Sequence, residues 1–137
     1  MIAVVCVDNA LGTMFNGRRQ SRDRVLIEKL MSHVGGARIW VRTYSAELFE
    51  NYAVTVDERC LLCAGDGEYC FVEGDSLAEH IEKIEKLILF RWNRAYPADR
   101  KLDVDLNADW VLECSEIFCG SSHPEIQMDV YRKANEQ

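Results

Sequence analysis

Apolar residues run unbroken near the start of the chain, Ile2-Ala3-Val4-Val5-Cys6-Val7, without the three- to four-residue return of a helix. Such a run predicts a strand covered on both faces. Asp8 to Ser21 then reads as a long loop, punctuated by Asn9, Gly12, Asn16 and Gly17. Val25, Leu26, Leu30 and Val34 return at helical spacing, with Ser21 or a neighbour as the cap and Gly35-Gly36 as the stop. Arg38 to Val41 is a second strand. Ser45 caps a short helix through Glu47, Leu48 and Phe49, and Asp57 caps another running to Cys63 before Gly65-Asp66-Gly67. Tyr69 to Val72 is a third buried strand. Ser76 opens the clearest helix, with Leu77, His80, Ile81 and Ile84 inward and Glu79, Glu82, Lys83, Glu85 and Lys86 toward water. Leu87 to Phe90 is again a strand, followed by an irregular stretch from Asn93 to Asn107 around Pro97. Trp110 to Cys119 and Ile126 to Arg132 alternate as an antiparallel pair. Strand-helix units closed by a hairpin predict an α/β fold.

Length and charge narrow this picture. A chain of 137 residues is expected to form one domain over residues 1–137. The net charge of −7 argues against general binding to nucleic acid or anionic membrane, which requires a broad basic surface. The opening apolar run is too short for a signal peptide or membrane span, so the expectation is a soluble, cytoplasmic protein. Six cysteines are expected as thiols in a reducing compartment. Cys6 and Cys70 sit in strand-like runs as small hydrophobes. Cys60-Leu61-Leu62-Cys63 has no second pair at matching spacing, and no metal site is assigned.

The order of motifs resembles the dihydrofolate reductase family over nearly the whole chain. The resemblance is carried by Asp8…Gly12…Asn16 as the loop over the nicotinamide and by Asp23 at the head of the first helix. It continues in Val56-Asp57-Glu58 through Gly65-Asp66, Lys86-Leu87-Ile88-Leu89, Asp109-Trp110, and Ser122-His123 with Val130-Tyr131-Arg132. It implies a three-layer α/β fold: a mostly parallel central sheet, an antiparallel C-terminal edge and helices on both faces. It also implies NADPH as the family's cofactor, with Arg42, Thr43, Gly74 and Ser76 in the cofactor-binding positions.

Several positions depart from the family pattern. Where the family opens a helix with a Gly-Gly pair that receives the diphosphate, this chain has Glu73-Gly74-Asp75-Ser76. At an effective dielectric near 20, each like-charge contact at about 4 Å costs roughly 4 kcal/mol. Val41 replaces a glycine before Arg42-Thr43, and the segment between Arg42 and Glu73 is markedly shorter than the family's. The missing part would carry a strand and the arginine that clamps the folate carboxylate. The polar run Arg18-Arg19-Gln20-Ser21 stands where the family has a tryptophan.

The remaining chemistry centres on two features. Asp23, with a pKa raised under a loop and near apolar walls, is the candidate proton relay; an acid that stabilises its helix beside Arg22 and Arg24 is the plain alternative. Arg18, Arg19 and Arg22, with Gly12, are the candidate ligand-binding residues for a phosphate or carboxylate, against a solvated basic loop. His33, His80 and His123 are isolated, and the H-x-H-x-D-H run with which ribonuclease Z holds two zinc ions is absent. The first expectation is a fold relative without ordinary folate reduction that binds a small anionic, pterin-like or nucleotide-like ligand. An NAD(P)H-dependent reductase of a pterin or other small heterocycle is the alternative. A homodimer joined at a terminal sheet edge is the third.

Overall fold

The computed structural model describes residues 1–134. Its main sheet is built from β1 (Ile2–Val7), β4 (Ile39–Val41), β5 (Thr55–Val56), β6 (Tyr69–Phe71), β7 (Lys86–Arg91), β9 (Trp110–Phe118) and β10 (Ile126–Lys133). The strand order is β5-β4-β6-β1-β7-β10-β9. The first five run parallel, β10 pairs antiparallel with β7, and β9 pairs antiparallel with β10.

Alternation along the central strands divides the core into two layers. Ile2 and Val4 of β1, with Ile88 and Phe90 of β7, pack on helix α1 (Arg24–Val34) through Leu26, Ile27 and Leu30. Ala3, Val5 and Val7, with Leu87 and Leu89, meet Leu61 of helix α3 (Cys60–Cys63), Leu77 and Ile84 on the opposite face. Each buried Val or Leu side chain contributes about 1.5–3 kcal/mol relative to exposure. Helix α2 (Thr43–Ala46) runs into a 3₁₀ turn whose Phe49 meets Phe71 edge-on at 5.1 Å.

Asp23, rather than Ser21, caps α1, and Ile27 joins the buried stripe while Val25 is only half-buried. Ser45 lies inside α2 with its hydroxyl turned to Glu73 instead of capping. The stretch from Asp8 to Ser21 is ordered too: β2 (Gly12–Phe15) and β3 (Arg18–Arg19) form a hairpin, and β8 (Arg100–Lys101) adds a third strand. Asn16 and Gly17 both have positive φ, 54° and 73°, as a two-residue hairpin turn of mirror-image type requires.

The expected helix at Ser76 is a 3₁₀ segment, Ala78–Lys83, interrupted at His80 (φ −121°, ψ 15°). Its first N–H groups are taken by Asp103 from a distant loop, and Ile84 is already extended and buried on the way into β7. The spacing of apolar residues is satisfied without an α-helix: Leu77 and Ile84 are buried in the core and Ile81 packs against it half-buried. Among the described residues no helix is long and apolar enough to cross a membrane.

Candidate functional site

In open α/β sheets, ligands are received beyond the carboxyl ends of the strands. Here a narrow cleft, with about 20 Å³ of open room, lies beside β1 and β6, under the β2–β3 hairpin and against the first turn of α1. Leu26, Ile27, Leu48, Phe71 and Trp92 supply apolar walls, and Arg19, Ser21, Arg22, Asp23 and Glu73 the polar lining.

Asp23 is anchored from two sides. Its Oδ1 accepts from the α1 N–H groups of Val25 (2.9 Å) and Leu26 (3.2 Å), and from Ser121 N–H (3.0 Å) and Oγ (3.2 Å). Its Oδ2 accepts from Ser122 N–H (2.8 Å) and Oγ (3.1 Å) and lies 3.0 Å from His123 Nδ1. Burial alone would raise the pKa, but the N–H groups of Ser122 and Ser121, the His123 ring and Leu26 N–H outweigh it and hold the carboxyl well below the ordinary carboxylate range. The expected rise is thus a fall. Gly120 makes room for this arrangement: a Cβ there would run into Asp23 Oδ2 and approach Ile126 Cδ1 to 2.7 Å.

His123 extends the network into the cleft wall. Its Nε2 lies 2.9 Å from Ser21 Oγ and 3.1 Å from Tyr96 Oη, and its ring stacks on Trp92 at 4.6 Å. The imidazole is buried. In the sequence this histidine stands isolated, because its partners lie up to 102 residues away. No linear spacing signals that meeting.

The four cofactor-position residues gather around the turn after β6, each already engaged. Arg42 Nη1 donates to Asp75 Oδ1 at 2.8 Å, and its Nε lies 3.5 Å from Glu58. Thr43 N–H donates to Glu58 at 2.7 Å. Gly74 has φ +87°, and the space a side chain would need is filled by Met14 of the hairpin. Ser76 Oγ donates to Asp103 Oδ2 at 2.6 Å, while Asp103 Oδ1 accepts from Leu77 N–H (2.9 Å) and Ala78 N–H (3.1 Å).

The candidate ligand-binding arginines diverge. Arg19 grips Glu73 with a two-pronged fork (2.9 and 3.1 Å), donates to Glu47 at 2.6 Å and lies 4.3 Å over the Tyr44 ring. Arg18 is exposed. Arg22 lines the cleft, 64% exposed, with Glu47 at 3.8 Å. Arg24, the fourth of the cluster, pairs with Glu28 along the helix. Gly12 lets the hairpin approach closely: its N–H donates to Asp8 at 2.7 Å, and a Cβ would reach Ala98 Cβ at 2.5 Å. Cys60 and Cys70 are buried with their sulfurs 3.2 Å apart, whereas Cys63 is exposed. Among the described residues no group of three or more His, Cys, Asp or Glu is placed to hold a metal ion.

No family model matches the chain, and no curated protein matches it in sequence. Among solved structures it is similar to a dihydrofolate reductase from Enterococcus faecalis complexed with NADP(H) and RAB-propyl. That likeness has a TM-score of 0.69 at 12% identity and covers 98% of this chain and 96% of the other. The chain therefore has a dihydrofolate-reductase-like fold.

Proposed function

We propose that this protein uses the dihydrofolate-reductase-like fold without ordinary folate reduction and binds a small anionic ligand in the cleft beside α1. One observation carries the reading: the groups available to hold a cofactor diphosphate are already neutralised by the chain's own carboxylates. Glu73 takes Arg19, Asp75 takes Arg42, and Asp103 takes the N–H groups of Leu77 and Ala78. Met14 covers the glycine turn. A diphosphate entering there would meet three carboxylates and displace three sets of charge-assisted hydrogen bonds, so these residues do not fit the group.

Asp23 supports the same reading. With its oxygens facing donors from α1 and the 121–123 loop, and its proton affinity lowered, it is a poor proton donor to a heterocycle. Among the described residues that line the cleft, Arg22 is the cation left for a ligand: it stands largely exposed with Glu47 as a distant partner, and the half-buried Leu48 lies in the same lining.

The test is a titration with NADPH, followed by nucleotide fluorescence and melting temperature together. The expected result is no saturable signal at millimolar NADPH. Micromolar binding would overturn the reading and favour an NAD(P)H-dependent reductase. A parallel series of pterin carboxylates and nucleoside monophosphates should raise the melting temperature of the wild-type protein, and Arg22→Ala should abolish that rise.

A further inference from the structure

Three side chains meet at the cleft in a hydrogen-bonded line: Ser21 Oγ to His123 Nε2 at 2.9 Å, and His123 Nδ1 to Asp23 Oδ2 at 3.0 Å. An ionised carboxylate only accepts, so the proton between His123 and Asp23 belongs to Nδ1, leaving the Nε2 lone pair toward the Ser21 hydroxyl. The line is held rigidly. Backbone N–H groups of Val25, Leu26, Ser121 and Ser122 fix Asp23. Trp92 fixes the plane of the imidazole. Ser21 and Asp23 both line the cleft, and Ser21 is half-buried.

We propose that Ser21 is a nucleophile, His123 its general base and Asp23 the positioning residue for hydrolysis of small carboxylic esters. A hydroxyl, an imidazole and a carboxylate in this order define an acyl-transfer constellation by geometry, whatever the fold that presents them.

In the first step Ser21 Oγ bonds to the ester carbonyl carbon and its proton passes to His123 Nε2. Collapse of the tetrahedral intermediate breaks the carbon–oxygen bond to the alcohol, which leaves with that proton. Water then attacks the acyl-serine, its proton goes to Nε2, and Ser21 Oγ departs with it as the carboxylic acid is released. Ester and water are consumed, and acid and alcohol are formed. Asp23 holds the ring and offsets the charge that develops on it. Tyr96 Oη, 3.1 Å from Nε2, keeps a hydroxyl on that nitrogen while Ser21 is bonded to the acyl group. The preferred substrate class rests on the anion-binding reading above: an ester with a short body against the half-buried Leu48 and an acidic group within reach of Arg22.

The experiment uses the full chain. A fluorophosphonate probe is mapped by peptide mass spectrometry, and hydrolysis of neutral 4-nitrophenyl acetate is compared with that of anionic 4-nitrophenyl hemisuccinate. The adduct should fall on Ser21, with turnover about 10²–10⁴-fold above buffer. Ser21→Ala removes one half-buried hydroxyl and none of the donors to Asp23, so it should abolish label and turnover with an unchanged melting temperature. Asp23→Asn should lower kcat by about tenfold or more at constant KM, a split that a purely structural role would not produce. An unlabelled Ser21, or full turnover in Ser21→Ala, overturns the proposal. Equal rates on the two esters would sink the anionic preference and leave the hydrolytic relay standing, so the two readings fail separately.

Discussion

Gly120 shows how much of this site is decided by a single absent methyl group. Its backbone passes so close to Asp23 that a Cβ would occupy the space of Oδ2, and the carboxylate cannot retreat because the N–H groups of Ser121 and Ser122 hold it. Ile126 closes the other side. Gly120→Ala should therefore destabilise the protein by about 1–3 kcal/mol through overpacking, measured as a lower urea midpoint. Gly36→Ala is the matched control, since nothing lies within 4 Å of a Cβ there. Its midpoint should stay within about 0.5 kcal/mol of wild type. Equal effects at the two positions would contradict the crowding argument. The Arg19 fork is a second case in which one side chain settles a local question. The sequence shows an arginine-rich loop, yet only the folded chain shows that Glu73 and Glu47 have claimed the innermost guanidinium.

Among the elements, the 3₁₀ segment Ala78–Lys83 depends most on a residue outside itself. Asp103 serves as its cap, accepting from Leu77 and Ala78 N–H and from Ser76 Oγ. Asp103→Ala should cost about 1 kcal/mol, the usual loss on removing a capping side chain, and amide exchange at Leu77 and Ala78 should quicken. Unchanged protection would show that these N–H groups find other partners. The same dependence explains what could be read in the chain and what could not. The parallel strands were legible because Ile2–Val7 and Leu87–Phe90 are apolar at every position, which only a two-sided cover requires. The helix expected at Ser76 failed because apolar spacing cannot register a carboxylate arriving from residue 103. The Asn16-Gly17 pair signals a hairpin in its own right, but without clear strand alternation around it the segment read as a loop. Asp23 was legible as a candidate by its place at a helix head. The sign of its pKa shift was not, because the deciding donors lie on the 121–123 loop, about a hundred residues onward.

For the molecule as a whole, the hydrogen-bonded carboxylates act together. Burial opposes ionisation at Asp8, Asp23, Asp103 and Asp129, yet hydrogen bonds outweigh it at each, and all four sit below their ordinary value when folded. A carboxyl with a depressed folded pKa binds its proton more readily in the unfolded chain. Its contribution to stability is therefore complete above the ordinary value near 3.8 and drains away as the pH falls through and below it. Asp23 joins α1 to the 121–123 loop, so its protonation loosens the contact between the first helix and the β9–β10 hairpin. Its share of the loss is about 2 kcal/mol. Acid also removes negative charge from 23 Asp and Glu while 16 Lys and Arg stay positive, which adds self-repulsion. Urea unfolding should give a nearly level midpoint from pH 7 to pH 5 and a steep fall between pH 4 and pH 2. Asp23→Asn, less stable at neutrality, should lose less across the acid range than wild type does. A midpoint that held constant or rose from pH 5 to pH 3 would mean that these carboxylates are no more acidic folded than unfolded.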